Sequence, residues 1–312
     1  MCAIFGFVNY RRSLSRSEMK ELINRLSVES EVRGKDATGI AYVKHGELKV
    51  FKRAKPAHKV RLYVPEDTVI FTGHTRMTTQ GDARYIYNNH PFTGKTADGS
   101  FALCHNGVLY NDSQLAKSEH LPKSKIETDS YVAAQLIEKY GRLNFTTIAK
   151  MSEAVEGSFV FTILSDKNKL FIAKGDNPLC LIHYKQLGLY VYTSTEDIMK
   201  NVLKGSFLEK LPFEVIKITE GEIISIDKRG RFEKSSFVPN EFCYGWNYYG
   251  YRKPAYDDEL FDICGMFGVS QEDLMLLYDM GYTDEEIEGM LCDRSMIREC
   301  IEEARVLVGE YY

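Results

Sequence analysis

Ten short runs in the first 240 residues constrain the fold of this chain more than any other feature. AIFGFV (3–8), TGIAYV (38–43), ELKVFK (47–52), TVIFTGHT (68–75), FALCHNGVLY (101–110), SFVFTIL (158–164), KLFIAK (169–174) and LYVYTS (189–194) all have β-character. FEVIKI (213–218) and EIISID (222–227) follow, separated by the turn-like TEGE. Several of these runs are apolar almost throughout instead of alternating, so both faces of those strands must be covered. Helical patterns are fewer. SRSEMKELINRLSVES (15–30) spaces Met19, Leu22, Ile23 and Leu26 by three and four, with Ser15 or Ser17 as N-cap. TDSYVAAQLIEKYG (128–141) runs from a capping-type start to a glycine, and FTTIAKMSEAVEG (145–157) also ends in glycine. Doubly covered strands with helical layers outside them predict an α+β fold stacked α/β/β/α.

The composition shifts after about residue 238. The stretch NEFCYGWNYYGYRKPAYDD is aromatic, contains Gly and Pro, and lacks periodicity. It reads as a linker that packs on something. From Asp258 onward the pattern is helical and acidic, and three helices fit it, at about 270–279, 283–291 and 294–308. Ser270 and Thr283 are N-cap candidates, the second opening a T-D-E-E capping box. The expected organisation is a main domain over 2–238, an aromatic linker over 239–257 and a small three-helix domain over 258–312.

The formal net charge is -4. A pI near 6.0 leaves no electrostatic footprint for nucleic acid or for an anionic membrane surface. The chain start lacks a charged segment followed by an apolar one, and no run of about 18 apolar residues occurs. The seven cysteines stand at 2, 104, 180, 243, 264, 292 and 300, with no CxxC spacing. They read as reduced thiols in a cytoplasm, with no metal and no cofactor expected.

Cys2 follows the initiator methionine directly and has two readings. It is a small hydrophobe opening a buried strand among Ile4, Phe5, Phe7 and Val8. Alternatively Met1 is removed, and one carbon then carries both a thiol and a free α-amine, a nucleophile with its own base. Polar clusters sit where strands end: R33-G-K-D-A-T-G39, G73-H-T-R-M-T-T-Q-G81, N89-H-P91, H105-N-G-V-L-Y-N111 and E127-T-D-S130. Taken singly, each fits an ordinary turn, a salt bridge or a buried histidine.

In this order, behind a cysteine at position 2, these clusters resemble the glutaminase domain of class II glutamine amidotransferases, which are N-terminal-nucleophile hydrolases. The likeness covers roughly residues 2–235 and is strongest across 2–131. It implies that Cys2 attacks the side-chain amide of glutamine. Arg76 and Thr79 match positions that meet the substrate α-carboxylate, and Asp129 matches the partner of its ammonium. Asn106 and Gly107 match the oxyanion hole. Arg33 and Asp36 match a structural pair near the nucleophile. Those roles suit glutamine chemically, because a zwitterion needs one cation and one anion at a fixed distance. This chain departs from the family in places. It begins CAIFGF where many members begin CGI or CGV. Gln80 stands where histidine is common, and Ser130-Tyr131 follow Asp129.

In well-known members the glutaminase domain passes ammonia to a fused synthase domain. About 75 residues follow the glutaminase part here, with no Gly-rich phosphate loop. The ammonia acceptor is therefore expected on another protein, or the substrate is a different γ-glutamyl-type amide. The MGY turn of the tail resembles a ubiquitin-associated-type module, and a generic helical bundle is the plainer reading. Either way it suits docking. The rival class is a binding or regulatory protein that keeps the fold without the chemistry.

Overall fold

The computed structural model describes residues 2–240, 260, 263–264, 269–280, 282–291 and 294–309. The chain divides into two compact units, Met1–Tyr244 and Gly245–Tyr312. The expected aromatic linker lies outside the described residues from 241 onward.

The first unit holds thirteen strands among the described residues. They are β1 (Ala3–Asn9), β2 (Ala37–Lys44), β3 (Glu47–Arg53), β4 (Ile70–Arg76), β5 (Phe92–Thr96), β6 (Gly99–Leu109), β7 (Gly157–Ser165), β8 (Lys169–Lys174), β9 (Cys180–Tyr184), β10 (Leu189–Thr193), β11 (Glu214–Val215), β12 (Glu222–Asp227) and β13 (Phe232–Ser236). Five α-helices accompany them among the described residues: α1 (Arg16–Glu29), α2 (Asp112–Ser118), α3 (Tyr131–Tyr140), α4 (Phe145–Ala154) and α5 (Glu196–Leu203). The strands form two antiparallel sheets, ordered β11-β9-β10-β1-β4-β2-β3 and β13-β12-β8-β7-β6-β5.

Three hydrophobic clusters mark the three interfaces of a four-layer stack. Met19, Leu22 and Leu26 of α1 and Ile198 and Val202 of α5 pack on Phe5, Phe7, Phe71 and Val191 of the first sheet. Leu136 and Ile137 of α3 and Ile148 and Met151 of α4 pack on Phe101, Leu103 and Phe161 of the second. Between the sheets lie Ile4, Val8, Ala41 and Ile70 against Ala102, Val160, Leu164 and Ile172. The alternation along β1 explains its apolar run. Ala3, Phe5 and Phe7 face the helices, while Ile4 and Val8 face the other sheet.

Local chemistry sets the element ends. Ser15 caps α1 through a reciprocal box with Glu18. Gly141 ends α3 with φ 78, a left-handed conformation that glycine adopts without penalty. Two sequence expectations need correction. The glycine of FTTIAKMSEAVEG does not cap α4, which ends at Ala154; Gly157 instead opens β7. FEVIKI contributes a two-residue edge strand, because Phe213 and Val215 face solvent and pairing reaches no further than β9. TEGE then carries the chain from the first sheet to the second, so FEVIKI and EIISID do not pair.

In the second unit, helices span Gln271–Asp279, Asp284–Leu291 and Arg294–Gly309. Ser270 caps the first by accepting from the Asp273 N–H, and Thr283 and Glu286 form the expected box. Leu260, Leu274, Leu277, Ile287, Met290 and Ile297 make its core. No helix among the described residues is long and apolar enough to cross a membrane.

Candidate active site

Cys2 immediately precedes β1, and Arg76 ends β4. Their strands pair antiparallel with Ala3 opposite Thr75, so the next step along each strand sets Cys2 across from Arg76. The Cys2 side chain is buried, and its thiol donates to the Met77 carbonyl at 3.4 Å. Burial pushes the thiol pKa up; the Arg76 charge pulls it back, and the Asp129 charge pushes it up again. A thiol in this setting stays protonated at neutral pH and needs a base.

Two neighbours tether the backbone around Cys2. Arg33 Nε donates to the Cys2 carbonyl at 2.8 Å. Asp36 accepts the Thr78 N–H at 2.7 Å, and its own N–H donates to the Arg76 carbonyl at 2.9 Å. Arg33 and Asp36 thus both lie beside Cys2 and Arg76, each holding a different stretch of main chain. Thr79 is exposed in the loop that follows β4.

Arg76 is 2% exposed. Nη1 donates to Asn89 Oδ1 at 2.6 Å, while Nη2 donates to the Gly81 carbonyl at 3.0 Å, the Thr128 hydroxyl at 3.3 Å and the Gln80 carbonyl. Burial lowers its pKa, and the charges of Cys2, Asp129, Asp36 and Asp82 raise it. A guanidinium remains a cation under such a shift. Asn89 also anchors Lys52, whose Nζ donates to the Asn89 carbonyl at 2.7 Å.

Asp129 is buried just ahead of α3. Its Oδ2 accepts the Leu109 N–H at 2.7 Å, and its Oδ1 accepts from Ser130 at 3.1 Å. The Ser130 hydroxyl also lies 2.6 Å from His105 Nδ1. One hydroxyl proton serves one of these acceptors at a time.

Asn106 and Gly107 lie on β6. The Asn106 side chain is fully buried, and neither Oδ1 nor Nδ2 has a hydrogen-bond partner. Buried amides are almost always partnered, so an amide buried without a protein partner marks Asn106 as a candidate ligand-binding group. Gly107 has φ 144, and a Cβ there would fall 1.8 Å from the Ser158 carbonyl.

The two sheets are stitched together close by. His74 Nε2 on β4 donates to the His105 carbonyl on β6 at 2.9 Å, which ties the strand carrying Arg76 to the strand carrying Asn106. The His90 ring lies against His74, tilted by 33°, with ring centroids 4.2 Å apart. Burial lowers the pKa of all three imidazoles, that of His74 to about 3, so the cluster is uncharged at neutral pH. A cavity of about 500 Å³ opens beside Asp129, lined also by Gln80, Asp112, Glu127 and Tyr131. A larger one, about 840 Å³, is lined by turns at the far end of the strands and holds none of these residues.

The sequence motifs named Cys2, Arg76, Asn106, Gly107 and Asp129 as candidates, but not the side chains that hold them. Asn89 and Thr128 hold Arg76. Asn89 stood inside a motif already noted for its proline; Lys52 and Asn177 carried no comparable signal. KGDNP around Asn177 reads as a plain turn.

Residues 74–200 match the family model described as a glutamine amidotransferase domain. The chain is similar to glutamine–fructose-6-phosphate aminotransferase (isomerizing) of Staphylococcus epidermidis, with 34% identity over 189 residues, covering 57% of this chain and 30% of the relative. The Staphylococcus aureus enzyme of that name is 30% identical over 249 residues, covering 76% of this chain and 39% of the relative. The chain thus spans well under half the length of these relatives. Among solved structures, glutamine phosphoribosylpyrophosphate amidotransferase from B. subtilis superposes with a TM-score of 0.58 at 20% identity, covering 76% of this chain and 49% of that one. Fold and matched sequence together define a class II glutamine amidotransferase domain of the N-terminal-nucleophile type.

Proposed function

We propose that this chain hydrolyses the side-chain amide of glutamine, or of a related γ-glutamyl compound, to glutamate and ammonia. The observation that carries the reading is the buried set of Cys2, Arg76 and Asp129, with Cys2 across from Arg76 in the β1–β4 register and Arg76 bonded to Thr128 next to Asp129. They come from the start of β1, the end of β4 and the lead into α3. Thiol, cation and anion are what an amide-cleaving site for a zwitterion requires. Arg76 takes the α-carboxylate with help from Thr79, and Asp129 takes the α-ammonium.

The chemistry begins once Met1 is removed. The freed α-amine of Cys2, with a pKa of roughly 7.7–8.0, accepts the thiol proton through a water. The sulfur attacks the amide carbon, and the resulting oxyanion is held by the Asn106 side chain and the Gly107 N–H. A donor so placed is worth about 10²–10³ in rate. The C–N bond breaks, and the amine returns the proton to the departing ammonia. Water then cleaves the thioester and releases glutamate. Cys2→Ala tests the scheme: glutamate release should vanish while the melting temperature holds. Unchanged release would end it.

The ammonia acceptor is proposed to be a synthase on another chain, with the 258–312 module as the docking element for a protein partner and 239–257 as its tether. A reducing, cytoplasmic setting suits the free thiols of Cys2, Cys104, Cys180 and Cys300. Removing residues 258–312 should leave glutamate release intact and abolish partner capture. Loss of both activity and fold would make the tail part of the main domain instead.

A further inference from the structure

We infer that Asn177 is a positioning residue that aims the Asn106–Gly107 peptide at the reacting carbonyl. The inference rests on the amide-hydrolysis reading above. A backbone N–H serves an oxyanion well when its peptide plane is held at one angle, because hydrogen bonds weaken steeply with misalignment. His90–Pro91 is the one cis bond among the described residues, so the 106–107 peptide is trans. In a trans peptide the carbonyl and the N–H point in opposite directions.

The Asn106 carbonyl is pinned by Asn177 Nδ2 at 3.2 Å. A carbonyl can only accept, so the Asn177 amide must present its NH₂ to the strand. With the carbonyl held on that side, the Gly107 N–H is directed to the other. Asn177 is buried, and its Nδ2 lies 2.8 Å from the point where a Gly107 Cβ would stand. The amide therefore packs on the Gly107 α-carbon as well, and the missing side chain is what admits it.

Asn177 has a rigid mount. The Gly175 N–H donates to the Phe159 carbonyl at 3.0 Å, and Asp176 Oδ1 accepts the Phe159 N–H at 2.9 Å. Phe159 is the residue of β7 that pairs with Gly107. Lys174 Nζ closes the turn onto the Gly175 carbonyl at 2.7 Å and the Asp176 carbonyl at 3.3 Å. The loop is thus fastened to the neighbour of the strand it steers.

The test compares Asn177→Ala and Asn177→Asp with the wild type. Aspartate keeps the shape but sets an oxygen against the Asn106 carbonyl. Both variants should lose on the order of tenfold in kcat for glutamate release, less than the ~10²–10³ expected for deleting an oxyanion donor outright. KM should stay within about twofold, since the donor acts in the transition state. Alkylation of Cys2 by iodoacetamide should proceed at the wild-type rate, because that reaction uses no oxyanion hole. Unchanged kcat in both variants would overturn the inference. So would a joint fall of kcat, alkylation rate and melting temperature, which marks a structural role. A wild type that releases no glutamate overturns the glutamine reading itself, and this inference with it.

Discussion

Asn106→Leu separates the cost of the candidate oxyanion hole from its benefit. In the free protein the Asn106 amide is fully buried and unpartnered at both polar atoms. A buried polar group without a partner costs about 1–3 kcal/mol, whereas an apolar group of the same shape carries no such penalty. Leucine has the branching of asparagine, so the substitution removes the penalty with little change in packing. Taking ~2 kcal/mol, and ~2–4 °C per kcal/mol for a domain of this size, melting of the main unit should rise by about 4–8 °C. Activity should move the other way. Loss of one oxyanion donor corresponds to ~10²–10³ in kcat, or ~2.7–4 kcal/mol, with KM nearly unchanged. Glutamate release at saturating glutamine and thermal unfolding in the same buffer give both numbers. Asn106→Ala is the companion, with the same loss of kcat but a lower melting temperature, because it leaves a void. A leucine variant that melts several degrees lower would mean that the amide is satisfied in the free protein. A kcat within threefold of wild type would remove Asn106 from the transition state.

Arg76→Lys and Asp129→Asn should each raise KM for glutamine at least tenfold; lysine loses the planar fork and asparagine the charge. Wild-type KM in both would mean that the substrate is not held by its α-charges. Lys52 offers a test by pH. Burial draws its ammonium from 10.5 down to about 8. Between those values the unfolded chain binds more protons than the folded one, so the Lys52 contribution to stability rises with pH across that window. Lys52→Met should therefore stabilise the fold at pH 7, by at most ~3 kcal/mol less ~1 for the lost bond to Asn89, and this gain should shrink toward pH 10. A gain independent of pH would rule out the buried charge as its cause.

The four-layer stack was legible because its cause is local. AIFGFV and SFVFTIL are apolar on both faces, and such a strand has nowhere to go but between two layers. KLFIAK and EIISID matched their strands end to end, since burial and β-propensity agree along them. FEVIKI has the same propensity, yet it lies at a solvent-facing edge and pairs over two residues, because its neighbours decide how much ladder is available. FTGKT is the converse. Its Gly and Lys hide a strand that pairing with β6 imposes. The residues proposed for the site could be picked out of the sequence as a set of candidates, because each proposed chemical role demands a particular residue type. Their supports could not. Asn89 reaches Arg76 from 13 positions away, Lys52 reaches Asn89 from 37 and Asn177 reaches Asn106 from 71. An asparagine that caps a turn and an asparagine that aims a peptide are identical in the chain, and the difference lies in which backbone the fold brings within hydrogen-bond reach of the amide.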